Sequence, residues 1–276
     1  MSGAALYRAL ELYGRNVEKN KLAFDWGRFA AENPEQVERL ARARENDEQP
    51  SQSAAEAIAR REAFLVQYQN RAYADRYRKL VDRVAAVEQR VRPGSQDLVD
   101  AVARNYFALL AYKDEYEVAR LHTETDFLAS LRRNFGAGAR PTFHFSPPLF
   151  AGTDPATGRP KKYELGAWVL PVLRALAKLK FLRGTKLDPF GYGADRRLER
   201  ALIVRYERVI ERIVADLDKR RFELALQLAR GPSAVRGFGP IKKAAAARAA
   251  EHEQRLLETW EKPALCEEAT ARASAA

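Results

Sequence analysis

The sequence predicts a mainly α protein: a multi-helix, bundle-like domain with one inserted β-hairpin. Three observations predict it. Apolar residues recur at steps of three and four along most of the 276 residues. One stretch near the middle switches to alternation rich in aromatic residues. No internal repeat of solenoid length divides the chain.

The elements follow in order. The opening segment places Leu6, Leu10, Tyr13, Val17 and Phe24 on one helical stripe. Asn33-Pro34 should end it, because proline disfavours helix in the residue before it. A second short helix is expected from 34 to about 45, followed by the polar linker "ENDEQPSQS". Residues 1–46 therefore form an N-terminal helical segment, and residues 53–262 the main helical domain. In that domain, 53–91 reads as one long helix carrying Tyr73, Tyr77, Leu80, Val84, Val87 and Val91. "RPGS" stops it, since Pro93 and Gly94 are both poor helix interiors. From Ser95 a further helix carries Leu98, Val102, Tyr106, Leu109, Tyr112 and Tyr116, with a break expected near His122.

"PTFHFSPPLF" and "KKYELGAW" alternate around the turn-rich "AGTDPATGRP", which predicts a long-looped hairpin at about 142–167. A lone hairpin is marginal in water, so it should pack on the helices or on a partner. Helices then return over the apolar and basic "WVLPVLRALAKLKFLRG", over 193–217, over 219–230 and over the Ala-rich 240–261, with a loop at "GPSAVRGFGP". The tail, 263–276, is expected to be disordered.

Composition limits the chemistry. Cys266 is the single cysteine, so no intrachain disulfide, Cys-based zinc site or all-Cys iron–sulfur cluster can form within one chain. One cysteine, no charged-then-apolar leader and no apolar run of roughly 20 residues lead us to expect a soluble cytoplasmic protein without membrane insertion. The net charge of +11 is concentrated: residues 158–248 hold 22 Lys or Arg against 9 Asp or Glu, and the remainder 26 against 28. That asymmetry favours an anionic partner, although Arg interleaved with Glu at helical spacing is also what an ordinary solvated helix face contains.

Dinucleotide, phosphate-loop, zinc-protease and nucleophile-elbow signatures are all missing from the sequence. His122, His144 and His252 lie in unrelated segments without ligand spacing. "YKDEYEVARLHTETD" is the densest carboxylate cluster. Buried in a cleft it would suit acid–base work; at this spacing from Lys113 and Arg120 it suits an ion-pair network. "KLDPFGYGADRRLERAL" also has two readings. Its glycines and the following helix start could receive an anion beside Arg196 and Arg197, or Phe190 and Tyr192 could simply anchor an ordinary turn.

Four strings are more specific. "VARNYFALLAYKDEYEVARLHTETDF", "FHFSPPLFAGTDPATGRPKKYELGAWVLP", "LRGTKLDPFGYGADRRLERALI" and "RGFGPIKKA" together resemble the C-terminal region of the large fused indolepyruvate ferredoxin oxidoreductases of bacteria. "RALELYGRNVEKNKLAFDWGRFAA" resembles the junction that leads into it, so residues 1–46 would be a junction segment. The resemblance covers roughly residues 8–248. It implies a complete enzyme that uses thiamine diphosphate, magnesium and an iron–sulfur cluster to decarboxylate an aryl-pyruvate oxidatively, forming an acyl-CoA and reducing ferredoxin. Those cofactors would belong to upstream domains. This chain has no G-D-G for thiamine diphosphate and no cysteine set for a cluster, so no cofactor and no catalytic residue carries over.

The expectation is a non-catalytic accessory or assembly module whose partners are the catalytic subunits of a 2-oxoacid ferredoxin oxidoreductase, and ferredoxin itself. Opening on a Met just before the junction, the chain would be a subunit, a split-gene product, a remnant or a detached domain. A basic helical nucleic-acid-binding protein and an independent enzyme are the alternatives. The interface candidates are Asn105, Tyr112, Lys113, Tyr116, Asp188, Phe190, Tyr192, Arg196 and Arg197, whose polar and aromatic groups are denser than packing requires.

Overall fold

The computed structural model describes residues 2–14, 16–37, 53–136, 138, 140–145, 152 and 161–262. It is mainly helical with one small antiparallel sheet, as expected. The chain divides into two compact units, Met1–Ser53 and Ala54–Ala276.

In the first unit the single stripe is two helices, α1 (Gly3–Tyr13) and α2 (Val17–Glu32). The periodicity carries through, but Gly14 at φ +69° closes α1 in the left-handed region that glycine alone enters without strain. The Ser2 hydroxyl caps the other end by accepting from the Ala5 amide at 3.3 Å. Edge-on contact of Tyr7 with Phe24 and the Lys21–Glu11 ion pair at 2.9 Å hold the two together, and neither helix buries a residue. Helix α2 ends at Asn33 as expected; residues 34–37 are helical, and the rest of the expected second helix and the linker lie outside the described residues.

The second unit opens on two helices where one is expected. The helix expected over 53–91 is α3 (Ala54–Tyr68) followed by α4 (Arg71–Val91). Asn70 separates them, its side chain accepting from the Tyr73 amide at 2.9 Å, because Asn favours the cap over the helix interior. The next helix is likewise interrupted. Helix α5 (Asp97–Leu110) stops before Tyr112, and α6 (Glu115–Thr123) starts afresh with Asp114 as cap; its Oδ1 accepts from the Glu117 amide at 2.8 Å. Tyr112 and Tyr116 therefore do not share a helix. The break near His122 falls at 124–126, before α7 (Phe127–Phe135).

Strands β1 (Phe143–Phe145) and β2 (Tyr163–Leu165) pair antiparallel, Phe143 opposite Leu165 and His144 opposite Glu164. The loop between them lies largely outside the described residues. Then come α8 (Leu170–Lys178), α9 (Ala194–Asp216), α10 (Phe222–Arg230) and α11 (Gly239–Trp260). The expected tail also lies outside the described residues.

The main core joins α3, α4, α5, α9 and α10 with Trp260 of α11. Its centre is aromatic: Tyr106 stacks on Tyr77 at 5.9 Å and on Tyr206 at 6.0 Å. Each buried hydroxyl must find a partner. Tyr77 donates to the Ala103 carbonyl at 3.2 Å, and Tyr206 to that of Ala229 at 2.9 Å. A smaller cluster, Ala119, Phe143, Val169, Leu173 and Ala177, fastens the hairpin and α8 to α6. The His122 ring lies edge-on to Phe127, Phe143 and Phe145, at 5.0, 5.4 and 5.5 Å. The hairpin thus packs on helices, as its small size requires.

Candidate functional site

The loop after α8 is built on buried charge. Arg183 turns inward, its Nε donating to Asp114 Oδ2 at 2.5 Å and its Nη2 to Asp114 Oδ1 at 2.9 Å. Its remaining nitrogen, Nη1, donates to the Tyr68 carbonyl at 2.6 Å, and the guanidinium lies 3.6 Å from the centre of the Tyr68 ring. Burial works against the Arg183 charge, but the hydrogen bonds to Asp114, joined by the electrostatic pull of Tyr68, Asp114 and Tyr112, outweigh it and hold the guanidinium above its ordinary range. Asp114 is therefore both the cap of α6 and the anchor of a loop 69 residues further along.

Asp188 organises the next turn. Its Oδ2 accepts from the Gly184 amide at 2.9 Å, and its Oδ1 from the Phe190 amide and the Tyr116 hydroxyl, both at 3.1 Å. Phe190 meets Tyr116 edge-on at 5.3 Å. Gly191 is required by close approach, since a Cβ there would lie 2.8 Å from Asp188 Oδ2 and 3.2 Å from Arg200 Nη1. Arg200 Nη2 completes the turn by donating to the Gly191 carbonyl at 2.5 Å.

Beside this framework opens a cleft of about 290 Å³, lined by Tyr112 and Lys113, by Asp195, Arg196 and Glu199 of α9, and by Phe238 and Lys242 around the start of α11. Lys242 Nζ sits 2.7 and 2.8 Å from the two oxygens of Glu199. Arg196 donates to Glu115 Oε1 at 3.3 Å and leaves the buried Oε2 without a partner. Burial opposes the Arg196 charge, yet Glu115 keeps its guanidinium raised. Burial, aided by the Asp114 charge, pushes the Tyr112 hydroxyl up to about 12, so the phenol stays neutral at physiological pH. The cleft holds the cations Lys113, Arg196 and Lys242, the neutral phenol of Tyr112, and the carboxylates of Asp195 and Glu199, and no histidine lines it. Glu115 engages Arg196 and Glu199 engages Lys242, which leaves Lys113 as the lining cation open to an anionic group or surface.

The nine interface candidates separate. Tyr112, Lys113 and Arg196 meet in the cleft, with Arg197 exposed on the same helix. Tyr116, Asp188 and Phe190 form the framework behind it; Tyr116 and Asp188 are buried, so they hold a surface in place rather than form one. Tyr192 is exposed, its hydroxyl donating to the Lys186 carbonyl at 2.5 Å. Asn105 stands apart on the buried side of α5, donating to the Ala101 carbonyl at 2.8 Å. The carboxylate cluster is an ion-pair network in which Glu117 takes Arg120 through two contacts of 2.8 Å.

Sequence reasoning did not single out Arg183 or the Glu199–Lys242 pair. Their partners are 69 and 43 residues away, and no local spacing announces such contacts. Phe238, exposed between two glycines, forms the cleft's far wall, where the sequence offered only the loop "GPSAVRGFGP".

Among the described residues no group of three or more His, Cys, Asp or Glu is placed to hold a metal ion, and no helix is long and apolar enough to cross a membrane. Nothing in them fits an iron–sulfur cluster. No curated protein and no solved structure matches the chain. A family model does match, over residues 54–255, which spans every wall of the cleft. The chain belongs to DUF6537, a family of unknown function.

Proposed function

We propose that the protein is a non-catalytic docking or assembly module of a cytoplasmic 2-oxoacid ferredoxin oxidoreductase of the indolepyruvate type. One observation carries this reading. The strings that resemble that enzyme are scattered from residue 102 to residue 244, yet Tyr112 and Lys113, Arg196 and Glu199, and Phe238 and Lys242 come from three of them and line one cleft. The fourth string supplies β1, β2 and the start of α8, which pack on the first through Ala119 and His122. Three separated strings that meet in one cleft, with the fourth packed on the first, support a common purpose for them.

Thiamine diphosphate, magnesium and the iron–sulfur cluster belong in this reading to the partner subunits. The module's cations steer an acidic partner surface, ferredoxin or a catalytic subunit, and the attraction weakens with salt.

The test is capture of the tagged full chain from its native cells at low and high salt, with mass spectrometry and a thiamine diphosphate assay of the eluate. Thiamine-dependent oxidoreductase subunits should be recovered at low salt. They should be lost at high salt and on combining Lys113→Glu with Arg197→Glu, two exposed positions. Nucleic acid in place of those subunits would favour the basic nucleic-acid-binding alternative, and capture indifferent to the charge reversals would remove the cleft from the reading.

A further inference from the structure

Helix α8 carries two apolar stripes. One, Val169, Leu173 and Ala177, is buried against Ala119 of α6 and Phe143 of β1. The other, Trp168, Val172, Ala175 and Leu179, advances in steps of four, three and four, the spacing of a single helix face, and stands in solvent. Trp168, in the turn leading into α8, is 67% exposed and Val172 57%; Phe181, in the turn after it, is 60% exposed. An apolar helix face is ordinarily covered, and of the two apolar faces of α8 only one is covered among the described residues.

The charge around this stripe has one sign. Between residues 161 and 187 the only acidic residue is Glu164. Arg183 is held by Asp114, and Lys180 donates to the Gln67 carbonyl. Lys161, Lys162, Arg174, Lys178 and Lys186 are exposed.

We propose that the outer face of α8 is a second docking surface, distinct from the cleft, and that its occupant is an acidic protein surface with an apolar centre. Trp168, Val172 and Phe181 are the anchors, and the cations form a steering rim. A second copy of this chain is disfavoured because a two-fold contact would set like charges against one another. A lipid surface is disfavoured because a helix lying in a membrane interface has a polar face opposite its apolar one, whereas the opposite face of α8 is apolar and belongs to the protein's own core.

The experiment places a photo-cross-linking phenylalanine at Val172 in the full chain, expressed in its native cells, and maps the cross-linked peptides. Cross-links to one other protein, at peptides rich in Asp and Glu, are expected. Their yield should fall about tenfold or more on Trp168→Ala, as for a central anchor, and also on Arg174→Glu combined with Lys178→Glu. These positions are exposed, so melting temperatures should be unchanged. The proposal is overturned by cross-links to a second copy, by peptides without acidic excess, by yields indifferent to these substitutions, or by no cross-link at all. Binding to vesicles of phosphatidylcholine and phosphatidylglycerol that shifts Trp168 fluorescence in the wild type and not in Trp168→Ala would overturn it in favour of lipid. Identification of a partner that is not a thiamine-dependent oxidoreductase would leave this inference standing and remove the function proposed above; insensitivity to Trp168→Ala in a genuine oxidoreductase complex would do the reverse.

Discussion

Asp114 and Arg183 form a bidentate ion pair with side-chain exposures of 3% and 2%, and that pair ties the start of α6 to the loop after α8. Because both charges are desolvated, removing one strands the other. Asp114→Ala should therefore destabilise the protein by about 3–5 kcal/mol. Urea unfolding should also show the double variant Asp114→Ala with Arg183→Met to be less destabilised than the sum of the two single changes, since the second substitution removes the stranded charge.

The Gly191 position tests the framework behind the cleft. An alanine Cβ would collide with the Asp188 carboxylate and press on Arg200. Gly191→Ala is expected to cost about 1–3 kcal/mol. Amide exchange at Gly184 and Phe190, whose N–H groups Asp188 accepts, should quicken in the same variant.

Glu88 is a buried carboxylate that caps a helix not its own. It accepts from the Leu98 and Val99 amides at 3.0 and 2.8 Å and from the Ser95 hydroxyl at 2.7 Å. Glu88→Ala leaves two buried amides at the start of α5 unpaired, at a cost of about 2 kcal/mol or more. Exchange should rise first at Leu98 and Val99.

Burial raises the hydroxyls of Tyr68, Tyr73, Tyr106, Tyr112, Tyr116 and Tyr206 above their ordinary value. A group whose folded value exceeds its unfolded one contributes stability that is complete below the unfolded pKa and disappears as the pH climbs through the folded one. Stability should thus begin to fall above about pH 10, and the Tyr112 share should be gone once the pH passes about 12. Absorbance at the phenolate band should show these tyrosines ionising together with unfolding and not before it.

Phe238 is 81% exposed and held there between Gly237 and Gly239, both at positive φ. Phe238→Ala should change stability by less than about 0.5 kcal/mol, as surface substitutions do. If the cleft docks a partner, the same change should weaken low-salt capture by about tenfold.

Helix faces were legible in the sequence because apolar residues at steps of three and four must be buried together, whatever they are buried against. The hairpin and the starts and stops at Asn33, Pro93 and Gly193 were legible for similar local reasons. The breaks at Gly14, Asn70 and Asp114 were less so, since the periodicity continues across each and only the cap distinguishes a break from a bend. Tyr112, Lys113 and Arg196 were recognisable as unusual, but not as neighbours.

The sequence by itself thus determined the helical class and the basic character of residues 158–248, both of which depend on composition and short spacings. Only the tertiary structure decided that Asp188 and Tyr116 are scaffolding and Lys113 and Phe238 are surface, that Arg183 belongs to Asp114, and that one apolar face of α8 is uncovered among the described residues. Those outcomes depend on which distant segments pack together. A buried charge finds its partner through the whole fold and leaves no trace in the residues beside it.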